Sequence, residues 1–315
     1  MALPEILRDR LSVPVIGSPM FIVSNPRLVM AQCINGVVGS FPALNARPKE
    51  QLEDWLKEIT QGLAEWEAAN PGKKAAPYAV NQIVHRSNER LMHDLELCVK
   101  YRVPIIISSL GAREDVNEAV HSYGGIVLHD VINDKFARKA IEKGADGLIA
   151  VAAGAGGHAG RLSPFALVQE IREWFNGPIA LSGAIATGRA ILAARACGAD
   201  LAYIGSAFIA TEEANAPPEY KRMIVDGVAE DILYTNQFTG VLGNYLKPSI
   251  VAAGLDPAKL PEDGVTQMDF ASEAKAWKEI WGAGQGIGAV KAVVPAADLI
   301  ARLTREYAAA KAELV

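Results

Sequence analysis

Short apolar runs alternate with longer segments of helical periodicity along the first two thirds of the chain. Most of the runs are rich in β-branched residues and almost continuously apolar, which is typical of strands buried on both faces of a parallel sheet. They begin at Val13, Gly36, Tyr78, Val103, Gly125, Asp146, Pro178 and Asp200. Eight strands alternating with helices predict a (β/α)8 TIM barrel, and a doubly wound open sheet is the alternative.

The intervening segments carry helix signals. Asn25 followed by Pro26 is typical of a helix start, with asparagine as the N-cap and proline at the first helical position. In the segment that begins at Arg47, apolar residues fall on one helical face; they are Leu52, Leu56, Ile59 and Leu63. Each of these segments is therefore predicted to be a crossover helix between parallel strands.

The alternation stops after Phe208. Residues 211–276 show no clear strand pattern, and we interpret them as a smaller, mainly helical insert domain after strand eight that caps the substrate. The chain then passes through the glycine-rich segment WGAGQGIG, from Trp281 to Gly288, into a final amphipathic helix. The predicted barrel domain therefore comprises residues 1–210 and 277–315.

Composition narrows the class of protein. Half of the 315 residues are apolar, and the formal charge of −5 comes without a basic tract, which argues against nucleic-acid binding. Three scattered cysteines do not suit a disulfide framework, and no histidine pair has the spacing of a metal site. The N-terminus lacks a signal-peptide pattern, and no apolar run approaches the ~18 residues of a membrane span. We expect a cytoplasmic enzyme that uses no metal and binds no membrane.

Candidate chemistry lies just after the predicted strands, where barrels of this kind build their active sites. The sharpest feature is His158 within AGAGGHAG, because a histidine flanked by small residues after strand six suits acid or base catalysis. A surface-loop histidine is the alternative. His85 could also face the site, whereas His129 is expected in the core, and His93 and His121 are expected on helices.

Two further segments suggest ligand contacts. Gly183 and Gly205, after strands seven and eight, permit close backbone approach to a phosphate, and Ser206 could add a hydroxyl. Tight turns explain these glycines equally well. The late segment GAGQGIG could wrap around a ligand, but its residues alone favour a flexible joint.

The ordered set of motifs resembles one family. PVIGSPM, AVNQIV, AGAGGHAG, PIALSGAIATGRAILAARACGAD with IGSAFIATEEA, and WGAGQGIG occur in that order along nearly the whole chain. Together they are similar to the nitronate monooxygenases, formerly called 2-nitropropane dioxygenases. The nitronate monooxygenases belong to a superfamily of FMN-containing barrels. This superfamily also includes flavin enoyl-thioester reductases and NADH:quinone reductases.

The resemblance implies non-covalently bound FMN and a set of contacts to it. Pro19 and Met20 would lie beside the flavin ring, Asn81 would hydrogen-bond near the ring or ribityl chain, and His158 would be the catalytic residue. The remaining expected cofactor contacts are Asp130, Gly157, Ser182, Gly183, Ala184, Gly205, Ser206, Gln285 and Gly286.

Two positions depart from the family pattern. Asp130 stands where several relatives carry a lysine, so the charge near the flavin differs. Ala184 stands where many relatives have glycine, and its methyl group is tolerable only if φ stays negative.

The implied reaction is oxidation of an alkyl nitronate or nitroalkane by O2 to a carbonyl compound and nitrite. The first alternative is an NAD(P)H-dependent flavin reductase of quinones or enoyl thioesters. The second is a barrel lyase or isomerase without flavin that binds a phosphorylated metabolite. A homodimer is possible, and the aromatic residues Tyr234, Phe238 and Tyr245 of the insert could line either a pocket or an interface.

Overall fold

Eight parallel strands form a closed barrel in the computed structural model, which describes residues 3–260 and 279–314. The strand order is β1-β9-β8-β6-β5-β4-β3-β2, and a parallel bridge between Ile16 and Val38 brings the two ends of the sheet together. All eight predicted strands are present, which confirms the TIM barrel. They are β1 (Val15–Gly17), β2 (Gly39–Pro42), β3 (Tyr78–Ile83), β4 (Ile105–Ser109), β5 (Ile126–Val131), β6 (Gly147–Val151), β8 (Ile179–Ser182) and β9 (Leu201–Ile204).

The continuous apolar character of the strands reflects burial on both faces. In β4, Ile105 and Ile107 pack inside the barrel, whereas Ile106 packs outward among the apolar residues under the helices. All three side chains are fully buried. The short 3-10 turn Glu5–Leu7 places Leu7 in the same interior cluster as Ile105, so the chain start adds apolar area to the barrel core.

Crossover helices follow the strands as predicted. The Asn25 side chain accepts the Leu28 N–H, and Thr187 caps a later helix in the same way through the Ala190 N–H, which satisfies orphan donors of the first turn. The helices are α1 (Pro26–Ile34), α2 (Gln51–Ala69), α3 (Leu91–Lys100), α4 (Glu114–His121), α5 (Asp134–Glu142), α6 (Pro164–Arg172), α7 (Gly188–Ala196) and α8 (Ser206–Ile209).

The insert differs from its prediction in one respect. It contains the helices α9 (Pro218–Asp226) and α10 (Lys247–Ala252), but also two antiparallel strands, β10 (Ile232–Thr235) and β11 (Gly243–Leu246). These strands escaped detection because each has four residues, and β11 begins with the poor strand formers glycine and asparagine. Residues 261–276 of the predicted insert lie outside the described residues.

A second, three-stranded sheet joins the insert to the barrel. Its order is β10-β11-β7, where β7 is the two-residue strand Gly157–His158 in the loop after β6. After the insert, a 3-10 turn at Gln285–Ala289 leads to the last helix, α11 (Ala296–Leu314), which packs against α7 and α1. Within the described ranges, no helix has the length and apolar character needed to cross a membrane.

Candidate active site

A cavity of about 490 Å³ opens at the carboxyl ends of the barrel strands. The parallel arrangement brings loops from distant parts of the sequence to this one end, as the fold predicts. Almost every site residue expected from the sequence lies on its wall: Pro19, Met20, Asn81, Asp130, Gly157, His158, Ser182, Gly183, Ala184, Gly205, Ser206 and Gly286. Gln285 does not line the cavity, and it is exposed to solvent.

The loop that carries His158 is held by the insert. Gly157 pairs with Asn244 and His158 pairs with Gly243 in the antiparallel ladder between β7 and β11. The Asn244 amide also donates to the Ala155 carbonyl at 2.6 Å, and the Ala159 N–H donates to the Leu242 carbonyl at 3.1 Å. His158 is therefore positioned by backbone pairing and is not a mobile surface-loop residue.

Burial and one hydrogen-bond contact define the surroundings of the His158 imidazole. Its Nε2 lies 3.1 Å from the Thr239 hydroxyl, on the turn between β10 and β11. Burial lowers the pKa of His158 from 6.5 to about 4, because the protein interior disfavours the charged imidazolium. A neutral imidazole on a cavity wall can accept a proton from a bound molecule.

A chain of hydrogen bonds crosses the wall from Asn81 to Asp130. The Asn81 amide donates to the Ser109 hydroxyl at 2.7 Å and to the Ile107 carbonyl at 3.0 Å. The Ser109 hydroxyl donates in turn to the Asp130 carboxylate at 2.6 Å. Because both amide hydrogens of Asn81 are used, its Oδ1 is the atom left to meet a ligand, and it can only accept.

Burial raises the pKa of the Asp130 carboxyl above its ordinary value. The neighbouring His129 and the hydrogen bonds from Ser109 and the Leu110 N–H act in the opposite direction. Tyr203 on β9 also lines this part of the cavity. The cavity wall therefore carries the Asp130 carboxyl, whose pKa is raised by burial and lowered by its polar neighbours.

Several glycines of the site lie where the backbones of two loops come too close together to leave room for a side chain. A Cβ on Gly156 would lie 2.7 Å from the Gly284 nitrogen, and a Cβ on Gly286 would lie 2.9 Å from the backbone of Ala184. The Gln285 N–H donates to the Gly154 carbonyl at 2.9 Å. The late glycine-rich segment is thus pinned onto the strand-end loops, contrary to its interpretation as a flexible joint.

The expected phosphate cradle lies at the ends of β8 and β9. Gly183 has φ +147° and Ala184 has φ +55°. The sequence analysis expected a negative φ at Ala184, and this expectation is wrong. The loop makes a left-handed turn at this residue although a side chain is present. The Ser206 hydroxyl accepts the Gly284 N–H at 2.8 Å, which leaves its own proton for an anion.

The other histidines stay out of the cavity. The His85 Nδ1 contacts the Ser87 hydroxyl at 2.8 Å, and His129 is a buried core residue as expected. His93 and His121 lie on helices and contact Asp94 and Asp146. Among the described residues, no group of three His, Cys, Asp or Glu side chains could hold a metal ion.

Two residues that contact the loop of His158, Thr239 and Asn244, were not anticipated. Ser109 and Thr239 contact the expected residues Asp130 and His158, and Asn244 anchors the loop of His158. Tyr245 is buried against Phe238, and the Tyr234 hydroxyl donates to the Ala159 carbonyl, so the insert aromatics pack inward. Ser109 is a strand-end residue that the sequence pattern predicts at the site, because it ends β4, whereas Thr239 carried no sequence signal.

Comparisons with known proteins agree with this geometry. The sequence matches the family model described as nitronate monooxygenase over residues 6–306. A nitronate monooxygenase of Paraburkholderia phytofirmans is 27% identical, over 93% of this chain and 92% of that protein.

Solved structures show the same fold. The nitroalkane oxidase of Streptomyces ansochromogenes superposes with a TM-score of 0.78 at 24% identity, over 99% of this chain and all of that one. FabK from Thermotoga maritima superposes with a TM-score of 0.77 at 22% identity, over 98% of this chain and 96% of that one. At this level of identity the structures support the barrel and not a particular reaction.

Ala184→Gly should raise the free energy of unfolding by about 0.5–1 kcal/mol, because a Cβ is disfavoured at positive φ. The measurement is urea unfolding of the protein without added ligand. Ala186→Gly is the matched control: this residue is buried, has no positive φ, and its loss should lower stability by about 1 kcal/mol. Equal destabilisation by both changes would contradict a strained Ala184.

Proposed function

Because this chain belongs to the nitronate monooxygenase family, we propose that it oxidises alkyl nitronates, or the nitroalkanes that form them, with FMN and O2. The products are a carbonyl compound and nitrite. The observation that carries the proposal is a histidine held by backbone pairing on the wall of a strand-end cavity that glycine-rich loops also line.

The residues present fit FMN. The cavity of about 490 Å³ falls within the range of about 300–1,000 Å³ typical of small-molecule sites. Gly183 and Ser206 would hold the phosphate through backbone N–H groups and one hydroxyl, and Ala184 would contact it beside them, with its own N–H donated to the Gly154 carbonyl at 3.3 Å. The Asn81 Oδ1 would accept a hydrogen bond from an N–H of the flavin or a hydroxyl of its side chain. Pro19 and Met20 would contact the ring.

The bound FMN would supply electron transfer and reactivity toward O2, and the protein would supply orientation and a proton acceptor. With a neutral nitroalkane, His158 accepts the α-proton. The C–H bond breaks, its electron pair enters the C=N bond of the nitronate, and the proton stays on the imidazole. With a preformed nitronate no proton needs to be removed, and His158 would only position the anion. The insert, residues 211–276, would cap the substrate.

The test is an absorption spectrum of the purified protein followed by anaerobic mixing. We expect a flavin spectrum that bleaches on addition of nitronate and recovers with O2, with nitrite released. Rapid bleaching by NADH, with little response to nitronate, would favour the reductase of quinones or enoyl thioesters. A colourless protein that FMN does not reconstitute would favour the lyase or isomerase.

His158→Asn should retain FMN but lose about 10²- to 10⁴-fold in kcat/KM for a neutral nitroalkane, the usual contribution of a general base. With preformed nitronate the loss should be much smaller. In the unmodified protein, kcat/KM for the nitroalkane should fall only as the pH approaches about 4, because burial lowers the pKa of His158 from 6.5 to that value.

His85→Asn serves as the control, since His85 lies outside the cavity and should leave both activities unchanged. Full turnover of nitroalkane by His158→Asn would remove His158 from the reaction.

Asp130 is proposed to tune the flavin electrostatically. A carboxylate on the cavity wall disfavours the addition of electrons to a neighbouring ring, whereas the lysine of several relatives would favour it. The Ser109 hydroxyl donates toward Asp130, which supports the ionised form, and burial opposes it.

Asp130→Asn should raise the FMN reduction potential by about 30 mV or more, because for this two-electron couple about 30 mV corresponds to 1.4 kcal/mol of charge interaction. The difference should shrink as the pH falls and the native carboxyl becomes neutral. Asp146→Asn removes the same charge before β6, at the opposite end of the barrel, and should leave the potential unchanged. Equal potentials in all three proteins would contradict the role of Asp130.

A further inference from the structure

The segments at the ends of β1 and β2 form an apolar wall of the cavity. In the closed barrel, β1 lies four strands from β5 in either direction, and β2 lies four strands from β6. This wall therefore stands across the barrel from Asp130 on β5 and from His158 in the loop after β6. The residues of the apolar wall are Met20, Phe21, Ile22, Val23, Pro42 and Leu44.

Ile22, on this wall, has a backbone conformation that its residue type disfavours. Its φ is +59°, and a β-branched residue at positive φ is an outlier. A strained conformation of this kind persists only where neighbouring contacts enforce it, and such residues cluster at ligand sites. The strain at Ile22 is therefore a reason to look for a ligand contact on the apolar wall.

Asn45 enforces the strained conformation from the segment after β2. Its Oδ1 accepts the Ile22 N–H at 3.0 Å. Its Nδ2 donates to the Met20 carbonyl at 3.0 Å and to the Ser24 carbonyl at 2.9 Å. The Asn215 Nδ2 also donates to the Ile22 carbonyl at 3.0 Å. Asn45 thus uses both amide hydrogens and its oxygen to hold the loop after β1 in one conformation.

We propose that the apolar wall is the subsite for the alkyl chain of the nitronate, that Ile22 limits the length of this chain, and that Asn45 is the positioning residue that keeps Ile22 in place. The inference rests on the proposed function in that the substrate is a nitronate or nitroalkane. An alkyl chain packed on this wall leaves water, which is favourable, and directs the α-carbon toward the side of the cavity that carries His158.

The apolar wall has support behind it. Met20 and Ile22 pack against the apolar cluster that contains the buried Phe208. At the solvent edge, the exposed Arg47 guanidinium lies 5.1 Å from the centre of the Phe21 ring, and its Nε donates to the Leu44 carbonyl at 3.1 Å. A wall fixed on these sides can discriminate between chain lengths, because it cannot yield to a longer chain.

The first test uses linear nitronates from ethyl to hexyl. Each CH2 group that leaves water contributes about fourfold to kcat/KM, so kcat/KM should rise with chain length and fall once the chain meets Ile22. Ile22→Ala should move the maximum to a longer chain and raise kcat/KM for hexyl relative to ethyl nitronate by about tenfold. The change should lie in KM, because the reacting carbon is away from this wall.

Ile141→Ala is the matched control for the first test. Ile141 is also a partly buried isoleucine, but it packs on the outside of the barrel against the cluster that contains Leu167. This variant should keep the chain-length profile of the unmodified protein. A profile that Ile22→Ala leaves unchanged would overturn the assignment of the apolar wall.

The second test measures FMN affinity and needs no turnover. Asn45→Ala allows Ile22 to relax to negative φ, which displaces Met20, an expected flavin contact, so the dissociation constant of FMN should rise about tenfold. Adding Ile22→Gly to Asn45→Ala should restore it to within about threefold, because glycine adopts positive φ without strain. Asn35→Ala, which removes a bond to the Ala31 carbonyl away from the cavity, should leave FMN affinity unchanged.

The outcomes separate this proposal from the proposed function. If the unmodified protein turns over no nitronate, the proposed function fails, and the FMN titrations still decide the role of Asn45. An FMN affinity that Asn45→Ala leaves unchanged, or that Ile22→Gly does not restore, would overturn that role. A crystal structure of Asn45→Ala should show Ile22 at negative φ, and a positive φ there would contradict the clamp. If Asn45→Ala does not fold, the chain-length profile of Ile22→Ala decides the question.

Discussion

The pairing of β7 with β11 is the contact on which the arrangement of the site depends. Two residue pairs, Gly157 with Asn244 and His158 with Gly243, connect the loop after β6 to the insert. A strand of two residues has no stability of its own, since isolated pairs of strands are marginal in water. The insert therefore supplies the strand edge that holds the loop, and its buried residues Ile224 and Leu246 pack in one apolar cluster with Ile204 of the barrel.

Close packing of backbones adds a second constraint. The segment from Trp281 to Gly288 approaches the loops after β6 and β8 so closely that a Cβ at Gly156 or Gly286 would collide with backbone atoms. The glycines of the site therefore serve contacts between loops as well as contacts to a ligand. Ala184 shows the limit of this rule, because it occupies a left-handed backbone conformation with a side chain present.

The barrel and most of the site could be predicted because both follow from local patterns. Strands buried on both faces are continuously apolar, as Ile105, Ile106 and Ile107 illustrate. Parallel strands bring the residues at their carboxyl ends to one end of the barrel, which is why Asn81, Asp130 and His158 lie on the wall of one cavity. Gln285 was placed in the same group by resemblance, and its exposed side chain shows that adjacency to a wall residue does not guarantee a place on the wall.

The sequence by itself determined the eight-stranded barrel, the strand-end location of the site and the candidate histidine, because periodicity and strand order act over short distances along the chain. The tertiary structure alone decided which residues contact that histidine and hold its loop. Thr239 and Asn244 belong to short strands and a turn without periodic signal, and they reach the loop of His158 only after the insert folds over the barrel. It also decided the positive φ of Ala184, since that angle is set by the loops packed against it and not by the residue type.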